Sequence, residues 1–120
     1  MFKKISEEDL QKECVKYLYS LREKGIRIEF TAIPNSTYTT SWSAKSKNIK
    51  MGLRGGLPDL FLICNGKALF IELKTKTGVL SDKQKKWHEA INASEGLICI
   101  VVRDINTFKS VIQKLFIKNN

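Results

Sequence analysis

The chain reads as an α/β protein with the element order αβββαβα, and three observations carry that reading. Asn65-Gly66 sits between two apolar runs, residues 59–64 and 67–73, which is the strongest short-range signal for a two-residue hairpin turn. Apolar residues at helical spacing occur before and after that hairpin. A continuous apolar run at residues 97–102 lies between two of the helical stretches, as a buried strand would.

The elements follow in order. Ser6, three residues ahead of Asp9, opens a helix whose Leu10, Cys14, Leu18 and Leu21, with Tyr17, form one apolar stripe. Gly25 ends it. Ile26, Ile28, Phe30 and Ala32 alternate with Arg27, Glu29 and Thr31, the pattern of a half-buried first strand. The hairpin supplies the second and third strands. Leu60, Leu62, Leu69 and Ile71 are apolar on one face, and Phe61, Ile63, Ala68 and Phe70 on the other, which predicts a central pair covered on both sides. Ser81-x-x-Gln84 opens the next helix, with Trp87, Ala90 and Ile91 expected inward and Gly96 beyond its end. After the fourth strand, Asn106 is expected to cap a last helix carrying Phe108, Val111, Ile112, Leu115 and Phe116.

At 120 residues the chain predicts one domain, 1–120, with a single core. A formal charge of +9 suits a polyanionic partner, although residues of both signs run throughout. No apolar stretch is long enough to span a membrane, and the first residues lack the apolar segment of a secretory signal. Cys14, Cys64 and Cys99 each fall inside an apolar pattern and form no C-x-x-C. They read as buried free thiols in a reducing cytoplasm.

The hairpin also places charge. A type I′ turn at Asn65-Gly66 sets Cys64 against Lys67 and Leu62 against Leu69, and the same register brings Asp59 opposite Glu72. Directly opposed side chains lie roughly 5 Å apart, where like charges repel. Lys74 joins the same face two residues on. E-x-K alone is common, and a charged strand end with Lys74 pairing Glu72 would explain it. The apolar setting makes that explanation poor, because two anions among apolar neighbours destabilise a sheet. They suit a hard divalent cation, with an ammonium at the edge of the site. Gly55-Gly56-Leu57-Pro58 delivers the chain onto Asp59, and a strand entrance tolerates the missing donor of proline.

These residues carry a resemblance. Gly56-Leu57-Pro58-Asp59 followed by Ile71-Glu72-Leu73-Lys74 resembles the core of the PD-(D/E)xK nucleases. Gly78, Leu80-Ser81 and Gln84 then follow as in the VRR-NUC branch of that superfamily, and Ala32-Ile33-Pro34-Asn35 and Ser6-Glu7-x-x-x-Gln11 are similar to its short, stand-alone members. The resemblance runs over roughly residues 6 to 103. It implies a restriction-endonuclease-like core with a central mixed sheet flanked by helices. It also implies a metal-dependent DNA endonuclease of a bacterial cell or its phage, acting on branched DNA such as four-way junctions as a homodimer. Asp59 and Glu72 would hold Mg²⁺ or Mn²⁺ together with the Leu73 carbonyl, and Lys74 would orient the attacking water and stabilise developing charge. Glu7 would complete the site or hold a second ion. Glu7 and Glu8 are adjacent, and the spacing to Gln11 favours Glu7, though acids in a first helical turn also have a dipole explanation. Gln84 enters the catalytic set by resemblance; on the residues alone it is half of a capping box.

Roughly 25 residues, 33–57, separate the first strand from the hairpin, and none is acidic. Lys45, Lys47, Lys50 and Arg54 are basic, Tyr38 and Trp42 aromatic, and residues 43–51 could form a short helix ending at Gly52. This composition suits a flap that meets nucleic acid, cations on phosphates and rings on exposed bases, with Asn35 and Lys76 as further contacts. A solvated loop anchored by a tryptophan is the plainer alternative. Lys83, Lys85 and Lys86 could also touch phosphates, but charge on an exposed helix face is usually solvation. His88 has no evident Ser or Cys partner and receives no catalytic role. A non-catalytic nucleic-acid-binding module is the competing function; the clustered acids argue against it, since a pure binder gains nothing from carboxylates near phosphates. No helix has the basic character of a recognition helix.

Overall fold

The structure is a computed structural model that describes residues 5–34 and 41–117. Its elements run α1 (Glu7–Glu23), β1 (Glu29–Ala32), α2 (Trp42–Lys50), β2 (Leu60–Cys64), β3 (Lys67–Leu73), α3 (Asp82–Asn92), β4 (Leu97–Val102) and α4 (Ile105–Ile112), which passes into a π-helical turn at Gln113–Ile117. Among the described residues the strands form one mixed sheet in the order β1-β2-β3-β4, antiparallel except for the parallel β3–β4 pair that α3 connects.

The hairpin forms in the expected register, Cys64 with Lys67 through Leu60 with Ile71. Both turn residues take positive φ, 52° at Asn65 and 77° at Gly66, as a type I′ turn requires. One face of the sheet is fully dry. Leu60, Leu62, Leu69, Ile71 and Leu73 pack there against Leu10, Cys14, Leu18 and Leu21 of α1 and Phe108 and Ile112 of α4. α1 begins where Ser6 implies, its hydroxyl accepting the Asp9 N–H at 3.0 Å.

Several expectations are corrected. The second face is only partly covered: α3 lies over its β4 side, whereas Phe61 and Phe70, their rings tilted to one another with centroids 5.0 Å apart, stay half-buried, and Ile63 is exposed. β1 starts at Glu29, so Ile28 enters the core from a loop rather than from a strand. On α3 the inward residues are His88 and Ile91; Trp87 is half-buried and Ala90 exposed. α4 is capped by Asp104 rather than Asn106, because both carboxylate oxygens of Asp104 find Thr107, one its N–H and one its hydroxyl, each at 2.8 Å. The apolar side of that helix is core, with Phe108 and Ile112 fully buried. The short helix in the long connection is present one residue early, capped by Ser41, and it buries no side chain. Asn35 and Tyr38 lie outside the described residues. No described helix is long and apolar enough to cross a membrane.

Candidate active site

Asp59 arrives through a tight approach. Gly56 has φ of 95°, and a Cβ there would come within 2.8 Å of the Lys83 backbone, so only glycine lets this loop press on the first turn of α3. The indole N–H of Trp87 donates to the Gly55 carbonyl at 3.1 Å and ties the same loop down. Asp59 then departs from the register that the hairpin implies. Its N–H donates to the Ile71 carbonyl at 2.9 Å although Leu60 is the ladder partner of Ile71. Two residues therefore face one, a β-bulge, which re-aims the side chain. Its Oδ2 accepts the Leu73 N–H at 2.7 Å instead of standing squarely opposite Glu72.

Glu72 is the unusual residue. It is the penultimate residue of β3, on the half-covered face, yet is only 1% exposed. Oε1 lies 3.0 Å from His88 Nε2, and Oε2 lies 3.4 Å from Gln84 Nε2. Burial, then the Asp59 charge and a hydrogen bond with Asp59, push its carboxyl up to about 8; Lys74 opposes this and Glu7 adds to it. Burial and Lys74 meanwhile push the His88 imidazole below its ordinary range, against the pull of Asp59. Both shifts favour the neutral forms of the two partners in this contact.

The remaining site residues arrange around this pair. Lys74 follows β3 directly, its N–H donating to the Val102 carbonyl at 3.1 Å, and its charge is felt by both Glu72 and His88. Glu7, exposed on the first turn of α1, lines a groove of about 990 Å³ with Gln11, Lys12, Lys16, Asp59 and Leu73. Glu8 shares that groove but pairs with Lys12 at 3.2 Å, which leaves Glu7 as the acid whose charge reaches Glu72. Gln84 serves two roles at once. Its Oε1 accepts the Ser81 N–H at 2.8 Å in a capping box, and its amide nitrogen faces Glu72.

Two residues escaped the sequence reading. His88 has no evident Ser or Cys nucleophile to serve, but Gln84 and His88 are four apart and share one helix face. That spacing, with Gln84 assigned to the site, was the available signal. Arg103 carries no such signal: its Nη1 reaches the carbonyls of Thr75 at 2.6 Å, Gly78 at 2.8 Å and Lys76 at 3.4 Å, and so pins the loop after Lys74. Of the expected nucleic-acid contacts, Lys45 and Arg54 line a second groove between α2 and α3, whereas Lys47, Lys50 and Lys76 do not.

The side-chain donors that meet here are hard oxygens: the Asp59 and Glu72 carboxylates, with Glu7 at the groove wall. Among the described residues no three His, Cys, Asp or Glu side chains close tightly enough to enclose an ion by themselves. Two carboxylates with room for water fit Mg²⁺, which keeps several waters and rarely takes an all-protein cage.

Residues 5–103 match the model of the VRR-NUC domain family. The chain belongs to that family, and a nuclease-type domain is what membership implies. A solved VRR-NUC domain protein is 26% identical with a TM-score of 0.63, covering 94% of this chain and 89% of its own. A second, titled VRR-NUC domain, is 20% identical with a TM-score of 0.61, covering 92% of this chain and 97% of its own, and supports the fold alone. The fold shared with these domains is the restriction-endonuclease-like one. No curated protein matches the chain.

Proposed function

We propose that this chain is a divalent-metal-dependent endonuclease that hydrolyses phosphodiester bonds in DNA, with selectivity for branched structures such as four-way junctions. One observation carries the reading: a carboxylate as buried as Glu72 is held against a second, Asp59, with Lys74 beside them. Such an arrangement destabilises the protein once Glu72 ionises, unless a cation occupies it. Asp59, Glu72 and the Leu73 carbonyl would hold Mg²⁺ or Mn²⁺, and Glu7 would extend the site along the α1 groove. A bound ion supplies an activated water near neutral pH and relief of charge on the phosphate.

The residues of the chain do the rest. Lys74 sets its ammonium where negative charge develops on the phosphate and orients the attacking water. His88 and Gln84 hold the two oxygens of Glu72, so its carboxylate cannot rotate away when it gives up its proton. The Leu73 N–H fixes Asp59 in the same manner. One chain brings together one such pair, so cutting the paired strands of a junction calls for two copies, and a two-fold homodimer provides them at a fixed separation. Cys14, Cys64 and Cys99, all buried and free, suit a reducing cytoplasm.

The test is a cleavage panel with Mg²⁺, Mn²⁺ or EDTA on duplex, single-stranded, flap and four-way-junction DNA, with wild type and Asp59→Ala. Metal-dependent cutting that Asp59→Ala loses by about a thousandfold or more, a few kcal/mol of barrier, supports the reading. Cutting by Asp59→Ala near the wild-type rate defeats it. Sedimentation of free and junction-bound protein tests the dimer.

A further inference from the structure

The groove between α2 and α3 has about 630 Å³ of space and is lined in part by Gly55, four residues before Asp59. Lys45 and Arg54 approach it from the α2 side and Lys83 and Lys86 from α3, and none of its lining residues is acidic. Its floor is aromatic: Trp87, over whose ring the Arg54 guanidinium lies at 4.8 Å. Trp42 stands one turn before Lys45 on the same side of α2, 82% exposed, with the Lys45 ammonium 5.1 Å from its ring. A fully packed protein has little use for a tryptophan in that position. Base stacking does, and it requires a base that is not already stacked in a duplex.

We infer that this groove holds an unpaired DNA strand next to the scissile phosphate, with Lys45, Arg54, Lys83 and Lys86 on its backbone and Trp42 stacked on a base. The inference rests on the nuclease reading for its substrate and narrows it, because among branched DNAs a flap or splayed arm offers an unpaired strand and a fully paired four-way junction does not. Lys83 and Lys86, which as bare helix charges look like solvation, become contacts because they share the groove with Lys45 and Arg54. Lys47 and Lys50 fall on the opposite side of α2 and take no part. Five residue steps separate Arg54 from Asp59, at most about 18 Å even when extended. At about 3.4 Å per nucleotide step, the unpaired segment begins within roughly five nucleotides of the cut.

Binding is measured in EDTA, by anisotropy of a labelled 20-nucleotide oligo(dT) and of a hairpin duplex of equal charge, across a salt series. Oligo(dT) is expected to bind at least about fivefold tighter than the duplex. Neutralising the groove (Lys83→Gln with Lys86→Gln, and separately Lys45→Gln with Lys86→Gln) weakens it about tenfold and lowers the salt slope by about 1.4, the share of two single-strand phosphates. Trp42→Ala weakens oligo(dT) about fivefold, in line with about 1 kcal/mol or more for a stacked base, and leaves the duplex unchanged. Lys47→Gln with Lys50→Gln, the control of equal charge, changes affinity less than about twofold. Equal loss in that control overturns the proposal, as does duplex binding as tight as oligo(dT) or a Trp42→Ala protein indistinguishable from wild type. Cleavage with Mg²⁺ is read in parallel on the same proteins. Cutting without the groove effects retains the nuclease and removes the groove; groove binding without cutting in any metal does the reverse.

Discussion

The two faces of the sheet solve opposite problems. Beneath α1 and α4 every inward side chain is apolar, from Leu60 and Ile71 to Phe108 and Ile112, and each is buried to within a few percent. On the other face α3 covers only part of the strands, and what it covers most completely is a carboxylate. The first face stabilises the fold by removing apolar area from water. The second holds Glu72 in a place that costs stability, with His88, Gln84, Asp59 and Lys74 arranged around it. A fold can carry such a site because the dry face supplies the surplus. Substitutions should therefore separate cleanly into those that unfold the protein and those that disarm it.

The largest effect on stability is expected from Phe108→Ala. It opens a cavity in the dry face and should cost about 3–5 kcal/mol, read by urea denaturation. Under conditions where the variant remains folded, its cleavage rate should stay within a fewfold of wild type. A large loss of rate in fully folded protein would show that the two faces are not independent.

Next is a pH dependence specific to the half-covered face. Glu72 keeps its proton up to about 8 when folded, whereas an unfolded chain releases it near the ordinary carboxylate value. Between those values the folded state binds more protons, so stability of the metal-free protein should fall as pH rises from about 4.5 toward 8. Glu72→Gln removes the titrating group with little change of shape. It should flatten that slope, raise the midpoint above wild type at pH 8, and abolish cleavage. Thermal unfolding from pH 5 to 8.5 in EDTA reads the first two, and a slope that Glu72→Gln leaves unchanged would assign the pH dependence elsewhere.

The smallest effect separates supporting groups from reacting ones. His88→Gln retains a polar side chain near Glu72 Oε1, and cleavage is expected to fall by about tenfold, with metal affinity weakened by a similar factor. A loss as deep as that of Asp59→Ala would move His88 from support into the chemistry.

What the sequence made legible divides along the same line. The dry face was readable because its signals are local: the stripe from Leu10 to Leu21, the Asn65-Gly66 turn and the apolar runs on either side of it. The hairpin register even brought Asp59 and Glu72 together. Beyond that, tertiary detail took over. The bulge at Asp59 depends on how the Gly55–Gly56 loop meets α3, which no pattern within residues 55–60 encodes. His88 was missed because its partner is a carboxylate sixteen residues away on another element. The flap cations looked equivalent in sequence, and only the placement of α2 against α3 separates Lys45 and Arg54 from Lys47 and Lys50.

The central claim is that the half-covered face is strained until a divalent cation sits between Asp59 and Glu72. Calorimetric titration of Mg²⁺ or Mn²⁺ at pH 7 in two buffers of different ionisation enthalpy tests it directly, because it reads both binding and the proton that Glu72 must release. Wild type should bind saturably and release up to one proton per ion, while Glu72→Gln and Asp59→Ala should bind at least about a hundredfold more weakly. Equal binding by all three proteins, or tight binding to wild type with no proton released, would contradict it.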